Sequence, residues 1–305
     1  MKIVSIGNFG TSWDGSICDE RHIADALDDL GHSVFYIQRE DTLGNFNNLS
    51  PDIEPDWVLI SQWDGYPEDL IDKLKNKYRA PIVYWAFDYQ DHGQVWHEQL
   101  ISGSNLYLSK RIADSKYPNW QWFSQDFAPS FLRPFDGEVK QDIEVLFTGS
   151  YLPWATERNE TLKVVANKHK LVIHSVNEWP KEWGLDVRPP IMDDGLPQLY
   201  ARAKIILSID HTIEAGYWSD RNAQIMACGR MPLMRYVPMA DVRFGKYVSF
   251  FYSPVSCLAL IEDWLSRPQE DVEMWNDTAY SYAINNLTVD SRVWDLLSIL
   301  DNYED

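Results

Sequence analysis

The 305-residue sequence has little cysteine: Cys18, Cys228 and Cys257, odd in number and far apart. No CxxC pair and no Cys/His ligand spacing occurs, which argues against a disulfide scaffold or a structural zinc site. Reduced thiols in a cytoplasmic protein are the simplest account. Cationic charge is scarce as well, with 27 Lys and Arg against 46 Asp and Glu and a net charge of −19. Binding to a nucleic-acid backbone needs clustered Lys and Arg, so a DNA partner is disfavoured by charge. Long apolar runs are missing. "MKIVSIGNFG" is too short for the apolar region of a signal peptide, and no segment approaches the roughly 20 residues of a membrane span. No low-complexity tract interrupts the chain.

What is present is an alternation of strand and helix patterns. "KIVSIG" (2–7) is a β-branched run closed by glycine. Ile23, Ala26, Leu27 and Leu30 follow at helical spacing, with Gly31 as a stop, and "SVFYI" resumes as a strand. This is a βαβ unit. "DWVLISQW", "PIVYWAFD", "NLYLS" and "QWFSQDFAP" extend the strand pattern. At "IEVLFTGS" (143–150) the alternation starts again, through "LVIHS", "KIILSID" and "MPLMRYV", with helices between them. Two such halves predict an α/β protein of two Rossmann-like, doubly wound domains with C-terminal helices. We place the domains at 1–138 and 139–284, with 285–305 a terminal helix able to return to the first domain. The polar stretch 133–142 holds the boundary.

In an open α/β sheet, ligands bind outside the carboxyl ends of the strands. "SDRNAQIMACGRMPLM" (219–234) predicts a helix starting at that edge, where free backbone N–H groups and a positive dipole end suit phosphate. Ser219 and Asp220 are expected to cap it, and Gly229 to end it. Arg221 adds forked donors that match phosphate oxygens. An NAD-type oxidoreductase is the weaker reading, because no GxGxxG follows either leading strand.

"LPQLYARAKIILSID…SDRNAQIMACG", "VLFTGSYLPWATERNETL", "VYWAFDYQDH" and "LYLSKRIADSKY…FAPSFLRPF" resemble GT-B glycosyltransferases, in particular a CgeB-like group related to glycosyltransferase family 4. The resemblance covers most of residues 1–290. It implies a metal-independent hexosyltransferase whose two domains face a cleft, the second binding a nucleotide-sugar and the first a hydroxyl acceptor. Acceptor classes are a glycan, a protein, a small molecule or a hydroxylated nucleobase. No cofactor is implied, the nucleotide-sugar being a substrate.

Departing diphosphate needs donors aimed at its charge. The expected set is Arg221, the backbone of Ser219, Asp220 and Asn222, Ser150 of the Gly-Ser turn, and Arg158, where the resemblance also places a cation. Related retaining enzymes carry two Glu eight residues apart. Here those positions hold Gly216 and Gln224, so Gln224 is a neutral partner for a ribose hydroxyl and the stereochemical outcome stays open. A non-catalytic relic that binds a nucleotide-sugar is the alternative. An inverting mechanism needs a base for the acceptor hydroxyl. Asp88, which directly follows "VYWAF", ranks first, and Asp14 second, ahead of Asp64, Asp91 and His92. Gly10 and Thr11 of "NFGTS" are expected near acceptor or phosphate through close backbone approach. Asp210 and His211, after "KIILSI", are expected near the sugar. Asp193-Asp194 reads as a helix-entry loop rather than a metal site. Trp13, Trp63, Trp85 and Trp96 could stack on a sugar or base, although packing is the commoner role of such residues.

Overall fold

A computed structural model describes residues 1–11, 15–44, 52–87 and 94–303, which form two compact units. The first comprises 1–125 and 293–305, the second 126–292. The polar stretch 133–142 belongs to the second unit.

In the first unit, six parallel strands are ordered β2-β1-β3-β4-β5-β6. They are β1 (Lys2–Gly7), β2 (Ser33–Gln38), β3 (Trp57–Ser61), β4 (Ile82–Ala86), β5 (Leu106–Ser109) and β6 (Trp120–Trp122). Helices α1 (Asp19–Asp29), α2 (Leu70–Lys77) and α3 (Val95–Gly103) make the crossovers. β3 and β4 are buried along their whole lengths, as a sheet covered on both faces requires. The "QWFSQDFAP" strand shrinks to Trp120–Trp122 at the sheet edge, where pairing stops at Ser109. Gly31 ends α1 with φ +84°. The His32 amide reaches back to the Leu27 carbonyl and the Gly31 amide to that of Asp28, a Schellman closure. Trp85 is core, not a stacking surface. The terminal helix α10 (Val289–Asp301) completes this unit. Val293, Leu296, Leu297 and Leu300 are buried, and Tyr303 packs edge-on against Trp57.

The second unit repeats the plan in the order β12-β11-β10-β7-β8-β9, again all parallel. Its strands are β7 (Ile143–Thr148), β8 (Leu171–His174), β9 (Asp186–Arg188), β10 (Ala203–Ser208), β11 (Leu233–Arg235) and β12 (Ser249–Phe251). The helices are α4 (Thr156–Ala166), α5 (Leu196–Arg202), α6 (Arg221–Ala227), α7 (Ala240–Phe244), α8 (Pro254–Ser266) and α9 (Gln269–Asn286). The chain runs from β7 outward to β9, then returns to the other side of β7 with β10. Strand order therefore reverses between β7 and β10, where such a sheet opens a crevice at its carboxyl edge.

The two ends of the second unit are tied together. Asp126, fully buried, accepts hydrogen bonds from Arg243 Nε at 2.7 Å and Trp218 Nε1 at 3.1 Å. Arg292 Nη2 lies 3.8 Å from its other oxygen. The Ala128 amide donates to Leu287 and the Val289 amide to Ala128. Burial by itself would push the Asp126 carboxyl up, but the two guanidiniums outweigh it and hold it below the ordinary aspartate range.

Removing one charge from such a buried cluster leaves the others uncompensated. Asp126→Asn is expected to cost about 3–5 kcal/mol in chemical denaturation. Because the folded pKa lies below the unfolded one, the stabilisation is complete above an ordinary aspartate pKa of about 3.9 and is lost as pH falls through the lower folded value. The wild-type acid limb should therefore carry a component that Asp126→Asn lacks, read from denaturant midpoints across acid pH.

Candidate functional site

The carboxyl edge of β7 and β10 gathers an unusual amount of buried charge. β7 ends at Thr148 and turns through Gly149 and Ser150 into the loop before α4. β10 ends at Ser208 and leads through Ile209, Asp210 and His211 toward α6. Arg158, on the first turn of α4, is 4% exposed and donates from Nη2 to the Ser150 carbonyl at 2.7 Å. Its Nε is buried with no partner. Arg221, at the start of α6, donates to the Ile209 carbonyl at 3.3 Å and lies 3.8 Å from Asp210. Both guanidiniums sit against the same ring, 5.8 Å (Arg158) and 5.2 Å (Arg221) from the centroid of Phe147. The π face offsets part of their burial cost. Desolvation, and next the positive charge of Arg221, bring the Arg158 pKa down to about 10.

Gly149 makes this approach feasible. Its φ is +156°, and a Cβ there would lie 3.0 Å from the Phe147 ring and 3.2 Å from Arg221 Nη2. Any side chain would push the Arg221 guanidinium away.

Asp210 supplies the counter-charge. Its Oδ1 accepts the Ser219 amide at 3.1 Å, while Oδ2 is buried without a partner. The Ser208 and Ser219 hydroxyls are likewise buried and unpartnered. His211 packs edge-on against Tyr217 at 5.2 Å. The expected capping of α6 is not what forms. Neither Ser219 nor Asp220 makes a side-chain cap, because the Asp220 carboxylate instead accepts from the Gln224 amide one turn later. α6 also has seven residues, so its N-terminus is a small contribution beside the two guanidiniums. Its stop is as expected: Gly229 has φ +75°, and the Arg230 amide bonds the Ile225 carbonyl. Asn222 lies fully buried, both amide atoms unpartnered, beneath the edge rather than on its rim.

Two features flank the cation pair. Toward β10 and β11 lies a pocket of about 220 Å³, lined among others by Trp154, Glu157, Arg158, Asp210, His211 and Arg235. Toward β8 lies an aromatic shelf. Tyr151 meets Trp179 at 5.3 Å and Trp183 at 5.5 Å, and Trp179 Nε1 is buried without a partner. The shelf is stiffened by Asn177, whose side-chain amide bonds both the N–H and the C=O of Tyr151, as a neighbouring strand would. Sequence reasoning missed Phe147, Trp154, Glu157, Arg235 and the shelf. Arg235 was within reach, because it is the last residue of a strand at the carboxyl edge.

In the first unit the reversal falls between β1 and β3. Gly7 ends β1, and a Cβ there would meet Ser61 Oγ at 2.6 Å and Glu20 Cγ at 2.7 Å. Glu20 accepts the Ser61 hydroxyl at 2.7 Å and the Asn8 amide at 3.3 Å. Burial, opposed first by the Ser61 hydrogen bond, raises its pKa. The Gly10 amide, expected to be free for a ligand, donates to Asn8 Oδ1 at 3.1 Å, and the Thr11 carbonyl accepts from the Asn8 amide at 3.3 Å. Both residues are spent on folding their own loop. Asp64 is exposed after β3. Trp63 packs against Tyr66 and under Arg39, and Trp96 against His97. Asp14, Asp88, Asp91, His92 and Trp13 lie outside the described residues. Among the described residues, no group of three or more His, Cys, Asp or Glu is placed to hold a metal ion. No helix of the described residues is long and apolar enough to cross a membrane.

Of the comparisons with known proteins, the family model bears on the same half of the molecule and the solved structures on the whole chain. Residues 156–298 match the glycosyl transferase-like family model, just under half of the chain. No curated protein matches in sequence. Among solved structures, an α-glucosyltransferase in complex with UDP and a 13-mer DNA has a TM-score of 0.72 at 12% identity, with 99% of this chain and 100% of that one covered. HepE of Anabaena, in complex with UDP and glucose, has 0.68 at 12% identity and the same coverage. OtsA in its apo form has 0.68 at 10% identity, with 100% of each chain covered. The chain thus has the fold of the GT-B glycosyltransferases, two parallel six-stranded sheets with C-terminal helices, and its second unit carries a glycosyl transferase-like segment.

Proposed function

We propose that this protein is a glycosyltransferase moving a hexose from a nucleotide-sugar to a hydroxyl acceptor, with UDP-glucose the first donor to test. The observation that carries the reading is the pair formed by the buried Arg158 and the part-buried Arg221 at the β7–β10 reversal. Two like charges against one ring, with the Asp210 carboxylate beside them, are left with net positive charge in a part-buried site. A diphosphate resolves that imbalance, and Arg forks match its oxygens. Solved structures of similar fold hold UDP or UDP-glucose, which supports uridine as the nucleoside. The base is assigned to the aromatic shelf of Tyr151 and Trp183, and the sugar to the pocket beside Asp210 and His211. Gln224, tied to Asp220, faces the ribose as a neutral group backed by a carboxylate. The guanidiniums take the leaving-group role that a metal fills elsewhere, so turnover is expected to be independent of divalent cations.

The acceptor belongs to the first unit. Asp88 is the proposed base and Asp14 the second choice. Three α-glucosyltransferase structures of similar fold are bound to DNA, yet a net charge of −19 opposes a polyanionic acceptor and favours a glycan, protein or small molecule. CgeB-like ancestry remains part of this proposal, as does residence in the cytoplasm.

Thermal-shift screening against UDP-, GDP-, ADP- and dTDP-sugars tests the donor. UDP-sugars should stabilise the fold, and Arg221→Ala should weaken UDP by about 10–100-fold, the loss of one or two charge-assisted hydrogen bonds. Stabilisation by NAD in their place would overturn the reading. UDP affinity should hold steady through neutral and mildly alkaline pH and fall as pH rises through about 10, where free Arg158 loses its proton. Calorimetry across that range would show it, and Arg158→Lys should move the break. Asp88→Asn should abolish transfer while leaving the UDP dissociation constant unchanged. Binding without hydrolysis or transfer by the wild type would turn the assignment to a non-catalytic nucleotide-sugar binder.

A further inference from the structure

The pocket beside the cation pair holds a second charged device. Glu157, on the first turn of α4, and Arg235, at the end of β11, are 78 residues apart in sequence and meet in its wall. Arg235 Nε donates to Glu157 Oε1 at 2.5 Å, and its Nη1 donates to the Tyr236 carbonyl at 2.8 Å. The guanidinium is thereby fixed at two points and nearly buried, its side chain 12% exposed against 40% for Glu157. A glutamate at that exposure would ordinarily sample several rotamers. This one is held, and its Oε2 accepts no hydrogen bond from the described residues. The neighbouring Asp210 Oδ2 is buried and equally unserved.

The pocket therefore presents one fixed carboxylate oxygen, Glu157 Oε2, beside an exposed ring, Trp154, a residue 68% exposed. Hydroxyl groups on a small ring with an apolar C–H face satisfy both. A nucleobase, with few donors, does not. At about 220 Å³ the space is below the 300–1,000 Å³ of drug-sized ligands, so it takes one ring and not a whole nucleotide-sugar. It shares Arg158 and Asp210 with the cation pair, so the group carried on the far phosphate enters it. We propose that Glu157, clamped by Arg235, reads a ring hydroxyl of the donor hexose and sets which epimer is accepted. This assignment rests on the donor reading above and adds the residues that choose the sugar. Arg235 acts through Glu157 and is a positioning residue.

The test measures dissociation constants for UDP, UDP-glucose and UDP-galactose by calorimetry, in the wild type, Glu157→Ala, Glu157→Gln and Arg235→Ala. In the wild type, UDP and its preferred hexose conjugate should differ in affinity, and the two epimers should differ by about tenfold or more, the worth of one hydrogen bond to a charged group. Glu157→Ala should bring the epimers to within about twofold while UDP itself is unaffected. Glu157→Gln should retain part of the discrimination. Arg235→Ala, which leaves Glu157 present but unheld, should lower it as well. Unchanged discrimination in Glu157→Ala overturns the assignment, and so does loss of UDP affinity in parallel with the sugar increment, which marks a structural role. No UDP binding by the wild type overturns the donor reading and this assignment with it.

Discussion

Two guanidinium groups pressed against one phenyl ring, one buried and one part-buried, set the conditions for everything around them. Coulomb repulsion between such charges is weak in water but grows several-fold at the lower effective dielectric of a protein edge. The second unit answers with local devices. The Ser150 and Ile209 carbonyls take donors from Arg158 and Arg221, and Asp210 offers half of a carboxylate. The Phe147 face lends its quadrupole. These measures hold the pair in place without neutralising it. The residual positive charge is what makes the crevice at the β7–β10 reversal an anion site rather than another packed edge.

Around this centre the site has a direction. On the β8 side are rings, stiffened by an asparagine that imitates a strand. On the β11 side is a carboxylate held by an arginine. A nucleotide-sugar has the same polarity, with a flat base at one end, charge in the middle and a ring of hydroxyls at the other. The first unit follows the same topological rule, and its own reversal also carries a carboxylate, Glu20, bridging the ends of β1 and β3. There, however, the polar groups satisfy one another. Gln38 bonds Asn8, Glu40 and the Phe9 amide, a chain of hydrogen bonds that folds the loop after β1.

Much of this architecture was legible in the sequence because its signals are local. Alternating β-branched runs and helical spacings mark both sheets, and Gly31 and Gly229 mark helix ends through a backbone conformation that other residues resist. Arg221 and Arg158 were readable because each sits in the first turn of the helix that follows a buried strand. The capping of α6 was misjudged for a local reason too, since Gln224 competes for the Asp220 carboxylate. What could not be read is set by long closures. Glu157 meets Arg235 across three strands of intervening chain, and Asp126 meets Arg243 across 117 residues. The orphaned oxygen of Asp210 is a matter of packing, invisible to any pattern of residue types.

The ion cluster at Asp126 has a bearing on how the molecule is made. The second unit is one unbroken stretch, and its first and last residues come together there, so it has every part it needs once residue 292 has emerged. The first unit is discontinuous. Val293, Leu296, Leu297 and Leu300, which follow the second unit in sequence, fill its core. During synthesis the half that is translated first is consequently the half that finishes last, and it waits with an open apolar seam until residues 293–300 have emerged.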